Sequence, residues 1–207
     1  MVMVLAGVAH ADDASAVLAK AQKFYAGADH LKAVFEQQVA NATFGKTDTS
    51  QGNVYIRKPG SVRFDYKSKA GAITKTFAFD GKTGWFVDEQ NKRIRTGKVQ
   101  GAALPAAVTF LTGGDLAKQF TVALDETGAY AAKGAPVLKL TPKVASAQYK
   151  AVYFVVEPAD GHVRESVVIN SSGDVERFKF YAPDLKSPID ASLFQIDPHQ
   201  PGYTVVP

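Results

Sequence analysis

The sequence predicts a mainly β fold of the α+β class, built from antiparallel strands and a few short helices. Apolar and polar residues alternate between Gln51 and Asp88, where Val62, Phe64 and Tyr66 point to one side and their neighbours to the other. A period of two is typical of a sheet with one polar and one apolar face. Turn-forming residues separate these runs, and similar runs recur until the total reaches about eleven strands.

The strand positions follow from these runs and from the turns between them. The segment 51–88 reads as four strands, with turns at 58–61 and 80–82, and another strand begins at Leu31. Further strands are predicted near residues 92–97, 119–125, 136–142, 151–157, 163–169 and 174–181. The connections are short, so most neighbouring strands should run antiparallel.

A helix is predicted near the N-terminus of the chain. Asp12 and Asp13 can cap it, its apolar positions continue to about Tyr25, and Gly27 and Asp29 end it.

Two more helices are predicted, over residues 103–111 and near 190–193. The first is apolar nearly all round and should be buried, with Pro105 tolerated in its first turn. Two or three short helices cannot cover a flat sheet of this size, so the sheet must fold onto itself or curl around them. A sandwich, a closed barrel and a curled half-barrel are all consistent with these patterns.

Composition limits the classes of function. A chain of 207 residues is long enough for one domain, and it contains no linker-like or repetitive tract. The net charge is +4, but the basic residues are dispersed among acidic ones, which argues against a nucleic-acid partner. The absence of cysteine excludes disulfides, thiol nucleophiles, thiolate metal sites and a lipid-modified cysteine anchor.

Residues 1–11 have the pattern of a truncated signal peptide. A short apolar run, 1–8, precedes Ala9-His10-Ala11, which fits an A-x-A cleavage site. No Lys or Arg precedes Lys20, so the positively charged region of a signal peptide is missing. The alternative is the start of an ordinary buried strand or helix. We expect a single mature domain, 12–207, that is exported to the periplasm.

Motifs for catalysis, metals and cofactors are absent from the sequence. The four histidines are scattered without the spacing of metal ligands. Gly81-Lys82-Thr83 is similar to the end of a P-loop, but Thr76 stands where the first glycine is required. Neither a G-x-S-x-G elbow nor a dinucleotide-binding glycine turn occurs. We therefore predict no enzyme activity, no metal and no cofactor.

Two consecutive segments carry a resemblance to a known family. They read QGNVYIRKPGSVRFDY and FDGKTGWFV, and they are followed more loosely by LTGGDL at 111–116, by LKLTP at 138–142 and by a closing Phe194 with Val205-Val206. In their order and spacing they resemble LolA, the periplasmic carrier of outer-membrane lipoproteins in Gram-negative bacteria.

The resemblance selects one of the three sheet arrangements. It implies a single unclosed half-barrel whose short helices form a lid over a hydrophobic cavity for acyl chains. The cavity residues that it implies are Phe35, Val54, Ile56, Val62, Phe64, Tyr66, Phe77, Phe79, Trp85 and Val87. The lid residues are Leu104, Val108, Phe110 and Leu111. Residue by residue, ordinary core packing is the competing interpretation.

The resemblance also implies a function and partners. The chain would be a monomeric periplasmic chaperone that takes acylated lipoproteins from an inner-membrane ABC-type exporter and passes them to an outer-membrane acceptor. A related module that binds or senses another lipid or hydrophobic ligand is the first alternative. A hydrolase or isomerase using the same cavity is the second, and it would need a base that the predicted apolar face lacks.

Three positions depart from the family pattern. LolA proteins have an arginine in a Lys-Arg-Pro turn that hydrogen-bonds the lid and holds the empty carrier shut, and the matching residue here is Lys58. Lysine is a point charge without the planar fork of a guanidinium, so Lys58 is expected to form a weaker latch, or the lid is held differently. Ser61 and Val62 also depart from the family, which affects the expected cargo fit.

Overall fold

The structure is a computed structural model, and it describes residues 6–98, 115–130 and 134–206. The helices in this part of the chain are α1 (Ala6–Ala26), α2 (Leu116–Gln119) and a 3₁₀ helix (Ala191–Phe194). The strands are β1 (His30–Ala40), β2 (Thr47–Arg57), β3 (Ser61–Lys67), β4 (Ile73–Phe79), β5 (Thr83–Asp88), β6 (Arg93–Lys98), β7 (Phe120–Leu124), β8 (Val137–Pro142), β9 (Tyr149–Val156), β10 (Val163–Asn170), β11 (Val175–Asp184) and β12 (Thr204–Val206).

All twelve of these strands belong to one sheet, in the order β12-β6-β5-β4-β3-β2-β1-β11-β10-β9-β8-β7. From β2 to β6, and again from β7 to β11, each strand runs antiparallel to the next. The outermost strands β12 and β7 are not paired with each other, so the sheet is unclosed. The prediction of a mainly β fold in one large unclosed sheet is confirmed.

The predicted meander of four strands between residues 51 and 88 is present, and the strands predicted downstream are found within a few residues of their expected bounds. The twelfth strand, β12, was not predicted, and it pairs with β6 in parallel. The helix predicted over residues 103–111 lies outside the described residues, as do the lid residues Leu104, Val108, Phe110 and Leu111.

The chain forms two compact units, residues 1–27, 38–48 and 106–179 in the first and residues 28–37, 49–105 and 180–207 in the second. In the first unit α1 contacts β7 and β8. Its side chains Leu18, Ala21 and Tyr25 are buried. The helix begins at Ala6, so Asp12 and Asp13 do not cap its N-terminus as expected, because the run of small apolar residues before them is itself helical.

Helix α1 is also held against the connection between β9 and β10. The Tyr25 hydroxyl accepts a hydrogen bond of 2.9 Å from the Val163 backbone N–H. Gly161 has a φ of +91°, and a Cβ added there would lie 2.7 Å from the Lys20 carbonyl oxygen. A side chain at position 161 is therefore excluded both by the left-handed backbone and by the close approach of the helix.

In the second unit the C-terminal segment covers one face of the sheet. The Asp65 carboxylate accepts hydrogen bonds of 2.8 Å from Arg63 Nε and Thr76 Oγ1. Arg63 Nη1 in turn donates to the Leu193 carbonyl oxygen at 2.9 Å, which ties the 3₁₀ helix to β3. Asp65 is only 4% exposed, so this face is not the polar, wet face that the alternation predicts. Burial of the Asp65 carboxylate is tolerated because Arg63 and Thr76 donate hydrogen bonds to it.

Replacing Tyr25 with Phe should lower the free energy of unfolding by about 1–2 kcal/mol, because the buried Val163 N–H loses its acceptor. Burial raises the pKa of the Tyr25 phenol, so the folded protein keeps this proton where the unfolded chain releases it. The stabilisation is fully present below the unfolded pKa of about 10 and is lost as the pH rises above it. In urea unfolding at pH 7 and pH 11, the wild type should lose more stability than Tyr25→Phe.

The matched control is Tyr181→Phe, at a ring that is 47% exposed. Its free energy of unfolding should equal that of the wild type at both pH values. An equal loss in Tyr25→Phe and the wild type would contradict the role given to the Tyr25 hydroxyl.

Candidate functional site

One face of the second unit is built mainly from aromatic residues, and the strand register decides which side chains share it. Directly opposed residues of antiparallel strands lie on the same face. Phe64 of β3 is opposite Val54 of β2 and Phe77 of β4, and Phe77 is opposite Phe86 of β5. In the next row, Val62 is opposite Ile56 and Phe79. We call this surface the aromatic face.

Phe35 brings the neighbouring strand β1 into the aromatic face. Its ring meets the ring of Phe64 at 5.3 Å and that of Tyr66 at 5.2 Å, both edge to face. Such pairs stabilise beyond the area they bury. Gly52 makes this packing possible, because a Cβ there would lie 1.9 Å from the Asp65 carbonyl oxygen and 3.0 Å from a Phe35 ring carbon. Gly52, the one residue of β2 without a side chain, therefore lies beside the Phe35 ring.

Exposure on the aromatic face rises from β2 toward β5. Phe35, Val54, Ile56, Val62 and Phe64 are fully buried or nearly so. Tyr66 and Phe77 are half-buried. Phe86 is 41% exposed, and the sequence reasoning missed it because it placed Phe86 on the opposite face. Eight of the ten predicted cavity residues are thus brought together: Phe35, Val54, Ile56, Val62, Phe64, Tyr66, Phe77 and Phe79.

Trp85 and Val87 are not part of the aromatic face, and their predicted placement needs correction. Phe79 is opposite Gly84 across the β4–β5 turn, so Trp85 is opposite Ala78 on the other face. There Trp85 and Val87 pack with Ala78 and Ile94, and the C-terminal residues Ile196 and Tyr203 pack against this cluster. A shift of one residue in the pairing of two strands moves every side chain to the other face. The composition of the β4–β5 turn does not reveal this pairing, so the sequence alone could not assign the face of Trp85.

The predicted latch residue Lys58 lies in the turn between β2 and β3. Its backbone N–H donates to the Asp29 carbonyl oxygen at 2.8 Å, which joins this turn to the start of β1. Its side chain is half-buried. The lid residues that Lys58 would hold lie outside the described residues, so the latch stays a prediction.

A pocket of about 290 Å³ lies elsewhere in the second unit. Its wall includes Val34, Glu36, Asn53, Lys67, Lys69 and Tyr181. Val34 and Glu36 flank Phe35 along β1, and Asn53 is opposite Asp65, so these side chains belong to the face opposite the aromatic one. Phe35 also lines this pocket, and the remaining lining residues are not among the predicted cavity residues, so the pocket is not the predicted acyl cavity.

Two kinds of feature, a metal-binding cluster and a membrane-spanning helix, are not found among the described residues. Across residues 6–98, 115–130 and 134–206, three or more His, Asp or Glu side chains do not gather into a group that could hold a metal ion. Within those same ranges, the helices are too short or too polar to cross a bilayer.

Comparison with known proteins shows which family the sequence matches. Residues 26–197 match the family model described as "Outer membrane lipoprotein carrier protein LolA". The outer-membrane lipoprotein carrier protein of Dechloromonas aromatica (strain RCB) is 26% identical over 173 residues, covering 81% of this chain and 77% of that protein.

The fold also occurs in a solved structure of low sequence identity. An uncharacterized conserved protein from Thermus thermophilus superposes with a TM-score of 0.55 at 11% identity, covering 94% of this chain and 99% of that chain. A LolA superfamily protein from Nitrosomonas europaea has a TM-score of 0.47 at 11% identity, covering 88% of this chain and 97% of that chain.

The register makes a prediction about Trp85, the single tryptophan of the chain. A fatty acid brominated along its chain quenches tryptophan only near contact. An acyl chain on the aromatic face should therefore leave wild-type fluorescence almost unchanged, because Trp85 lies on the other face. A double variant with Trp85→Phe and Phe77→Trp keeps one tryptophan and should be strongly quenched.

The unbrominated fatty acid is the control for both proteins, and calorimetry should show that both bind it. Strong quenching of the wild type with none in the double variant would mean that the ligand occupies the other face.

Proposed function

This chain belongs to the LolA family of outer membrane lipoprotein carrier proteins, and we propose that it carries acylated lipoproteins across the periplasm by holding their acyl chains on the aromatic face. The observation that carries this proposal is the contiguous aromatic face itself, which extends from buried Phe35 and Phe64 to half-buried Phe77 and exposed Phe86.

The need for such a face follows from the cost of wetting acyl chains. Moving buried hydrocarbon into water costs about 0.8 kcal/mol per CH₂ group. A lipoprotein with two or three long chains therefore faces a penalty of roughly tens of kcal/mol, which forbids unassisted crossing of an aqueous compartment. A carrier replaces the water with apolar wall, and broad aromatic rings provide area without demanding one ligand shape.

Burial of the inner residues sets the order of events. Val54, Val62 and Phe64 are at most 1% exposed in this state, so an acyl chain contacts them only after the atoms that cover them move aside. Phe86 is already accessible, so first contact occurs at the β5 end of the face. Loading is then a conformational change driven by the area that the cargo buries.

The partners in the proposed pathway are an inner-membrane ABC-type exporter and an outer-membrane acceptor. The exporter supplies the energy, and the acceptor takes the cargo by binding it more tightly, so the carrier performs no chemistry of its own. Residues 1–11 act as the export signal, and residues 12–207 form the mature monomer. The alternative, a module that binds or senses a different lipid, uses the same face and differs in the ligand found after native purification.

Phe64→Asp should abolish uptake of lipoprotein, because it places an unpaired charge at a position that is 1% exposed on the aromatic face. The assay is transfer of a labelled lipoprotein from inner-membrane vesicles into the soluble fraction. The matched control is Val34→Asp, at a 48% exposed site on the opposite face, and it should transfer normally. Circular dichroism separates a lost fold from lost uptake, and Phe77→Ser offers a milder variant at a half-buried site.

Transfer by folded Phe64→Asp at the wild-type rate would refute the proposed role of the aromatic face. Recovery of free lipid in place of triacylated lipoprotein from the native protein would favour the alternative.

Lys58→Leu should tighten cargo binding by roughly fivefold, the effect of about one hydrogen bond, and should slow release by a similar factor. The reason is that a latch stabilises the empty, closed state, and its loss favours the loaded state. Lys82→Leu, at an exposed position in the β4–β5 turn, is the control. Unchanged affinity and release in Lys58→Leu would remove Lys58 from the mechanism.

A further inference from the structure

Two large apolar side chains of the first unit are strongly exposed to solvent. Phe44 is 76% exposed and Val144 is 82% exposed, the highest values among the large apolar side chains that the structure describes. Phe44 lies in the loop 41–46 between β1 and β2, and Val144 lies in the loop 143–148 between β8 and β9. Both loops belong to the first unit.

A third loop, 171–174 between β10 and β11, contacts both of these loops. The Ala42 backbone N–H donates to Asp174 Oδ1 at 2.8 Å, which joins the first loop to the third. The Ser171 backbone N–H donates to the Gln148 carbonyl oxygen at 3.1 Å, which joins the second loop to the third. The three loops therefore form one end of the first unit, which we call the three-loop end.

The shape of the loop 41–46 does not depend on the Phe44 ring. Asn41 Oδ1 accepts hydrogen bonds from the backbone N–H groups of Thr43 at 3.0 Å and Phe44 at 2.8 Å. Gly45 has a φ of +62°, and its N–H donates to the Asn41 carbonyl oxygen at 3.0 Å. Asparagine and glycine therefore build this turn. Folding of the loop does not explain why a phenyl ring stands in water at its tip.

Val144 is also presented by an anchored loop. Lys143 Nζ donates to the Ala117 carbonyl oxygen at 2.7 Å, and the Lys143 backbone N–H donates to the Gln119 carbonyl oxygen at 3.0 Å. Farther along the loop, Ser146 Oγ accepts a hydrogen bond of 3.1 Å from the backbone N–H two residues later. Val144 lies between these two anchors, so the loop holds its side chain out in water.

A basic residue accompanies each of the two exposed side chains. Lys46 lies two positions after Phe44, Lys143 directly precedes Val144, and both lysines are exposed. At an anionic phospholipid surface, apolar side chains enter the boundary between headgroups and acyl chains, and nearby cations stay among the headgroups. The pairing of one apolar residue with one cation in each loop matches that boundary.

The acidic group of the three-loop end does not cancel these cations. Asp174 is the one acidic residue in the three loops. It accepts hydrogen bonds from Asn170 Nδ2 at 3.0 Å and from the Ala42 N–H at 2.8 Å, and these hydrogen bonds lower its pKa. Two lysines and one aspartate leave the loops with a net positive charge. On the strands that follow them, Asp48 and Lys150 offset each other.

We propose that the three-loop end docks on an anionic phospholipid surface, with Phe44 and Val144 inserted between the headgroups and the acyl chains. This inference goes beyond the proposed function, because it concerns where the carrier rests and does not concern its cargo. Two separate loop tips offer little continuous area for a stable protein interface, which buries about 800 Å² on each partner. The two side chains also contain less hydrocarbon than a myristoyl chain, which itself binds membranes only reversibly, so docking is transient.

The test measures co-sedimentation of the full-length protein, without lipoprotein, with sucrose-loaded vesicles. At low salt the wild type should bind vesicles of equal parts phosphatidylglycerol and phosphatidylcholine roughly tenfold more tightly than vesicles of phosphatidylcholine alone. Phe44→Ser should weaken binding to the mixed vesicles about tenfold, and Val144→Ser should weaken it about fivefold, because each variant loses hydrocarbon that the lipid would bury.

The chain offers a matched control for each kind of substitution. Val34→Ser removes a 48% exposed apolar side chain from strand β1 and should bind as the wild type does. Lys46→Gln should weaken binding to the mixed vesicles about fivefold and leave binding to phosphatidylcholine unchanged. Lys82→Gln removes an exposed charge from the β4–β5 turn and should change neither affinity. Circular dichroism of each variant should match the wild type, because all of these side chains are exposed.

Insertion can be read directly from a variant with Trp85→Phe and Phe44→Trp, which keeps a single tryptophan. Its fluorescence should shift to the blue on the mixed vesicles and should be quenched by phospholipids brominated near the headgroup end of their acyl chains. The wild type is the control, because Trp85 is only 8% exposed and lies in the second unit, so it should show neither change.

Equal binding of the mixed vesicles by the wild type and by a double variant with Phe44→Ser and Val144→Ser would overturn the inference. An unquenched tryptophan at position 44 would overturn it as well. Failure of the wild type to bind either kind of vesicle would overturn it and leave the acyl-carrying function standing, since lipoprotein transfer tests that function separately. Unchanged vesicle binding with slower lipoprotein uptake in Phe44→Ser would overturn it in favour of a protein partner at these loops.

Discussion

The candidate site depends on the register of one hairpin. Pairing of Phe79 with Gly84 across the β4–β5 turn puts a residue without a side chain on the aromatic face, and it turns Trp85 to the other side. The same register brings Phe86 into line with Phe77 and Phe64. A slip by one residue would exchange Phe86 for the larger indole and would move the exposed ring to the opposite face. The row of opposed residues from Val54 to Phe86 exists only in the observed register.

The opposite face of the second unit has a structural role that leaves the aromatic face available. There the buried Asp65 carboxylate joins Arg63 to Thr76, and Arg63 reaches the Leu193 carbonyl oxygen. Trp85 and Ile94 pack with the C-terminal residues Ile196 and Tyr203. The C-terminal segment thus holds one side of the sheet with both polar and apolar contacts. Atoms that cover the aromatic face can therefore move without unfolding the strands.

Local sequence signals account for most of the sheet. Alternation between residues 51 and 88, with turns at Pro59-Gly60 and Asp80-Gly81, was enough to predict β2 to β5. The prediction did not include β12, because three residues with parallel pairing have neither a hairpin turn nor a period to identify them. It also misplaced Trp85 and Val87, because alternation shows that a strand has two faces and does not show which of them continues a neighbour's face.

Uniform burial would make a carrier that cannot release its cargo, and uniform exposure would make one that aggregates. In the function that we propose, the aromatic face would avoid both, because its exposure increases along a single row from Phe64 to Phe86. Each methylene group of a bound acyl chain would cost about 0.8 kcal/mol only when it reaches water, so the proposed acceptor, by contacting the exposed end, would take over the chain in small steps. The free-energy barrier to transfer is then that of a few methylene groups at a time, which lets a carrier hold hydrocarbon tightly and still release it.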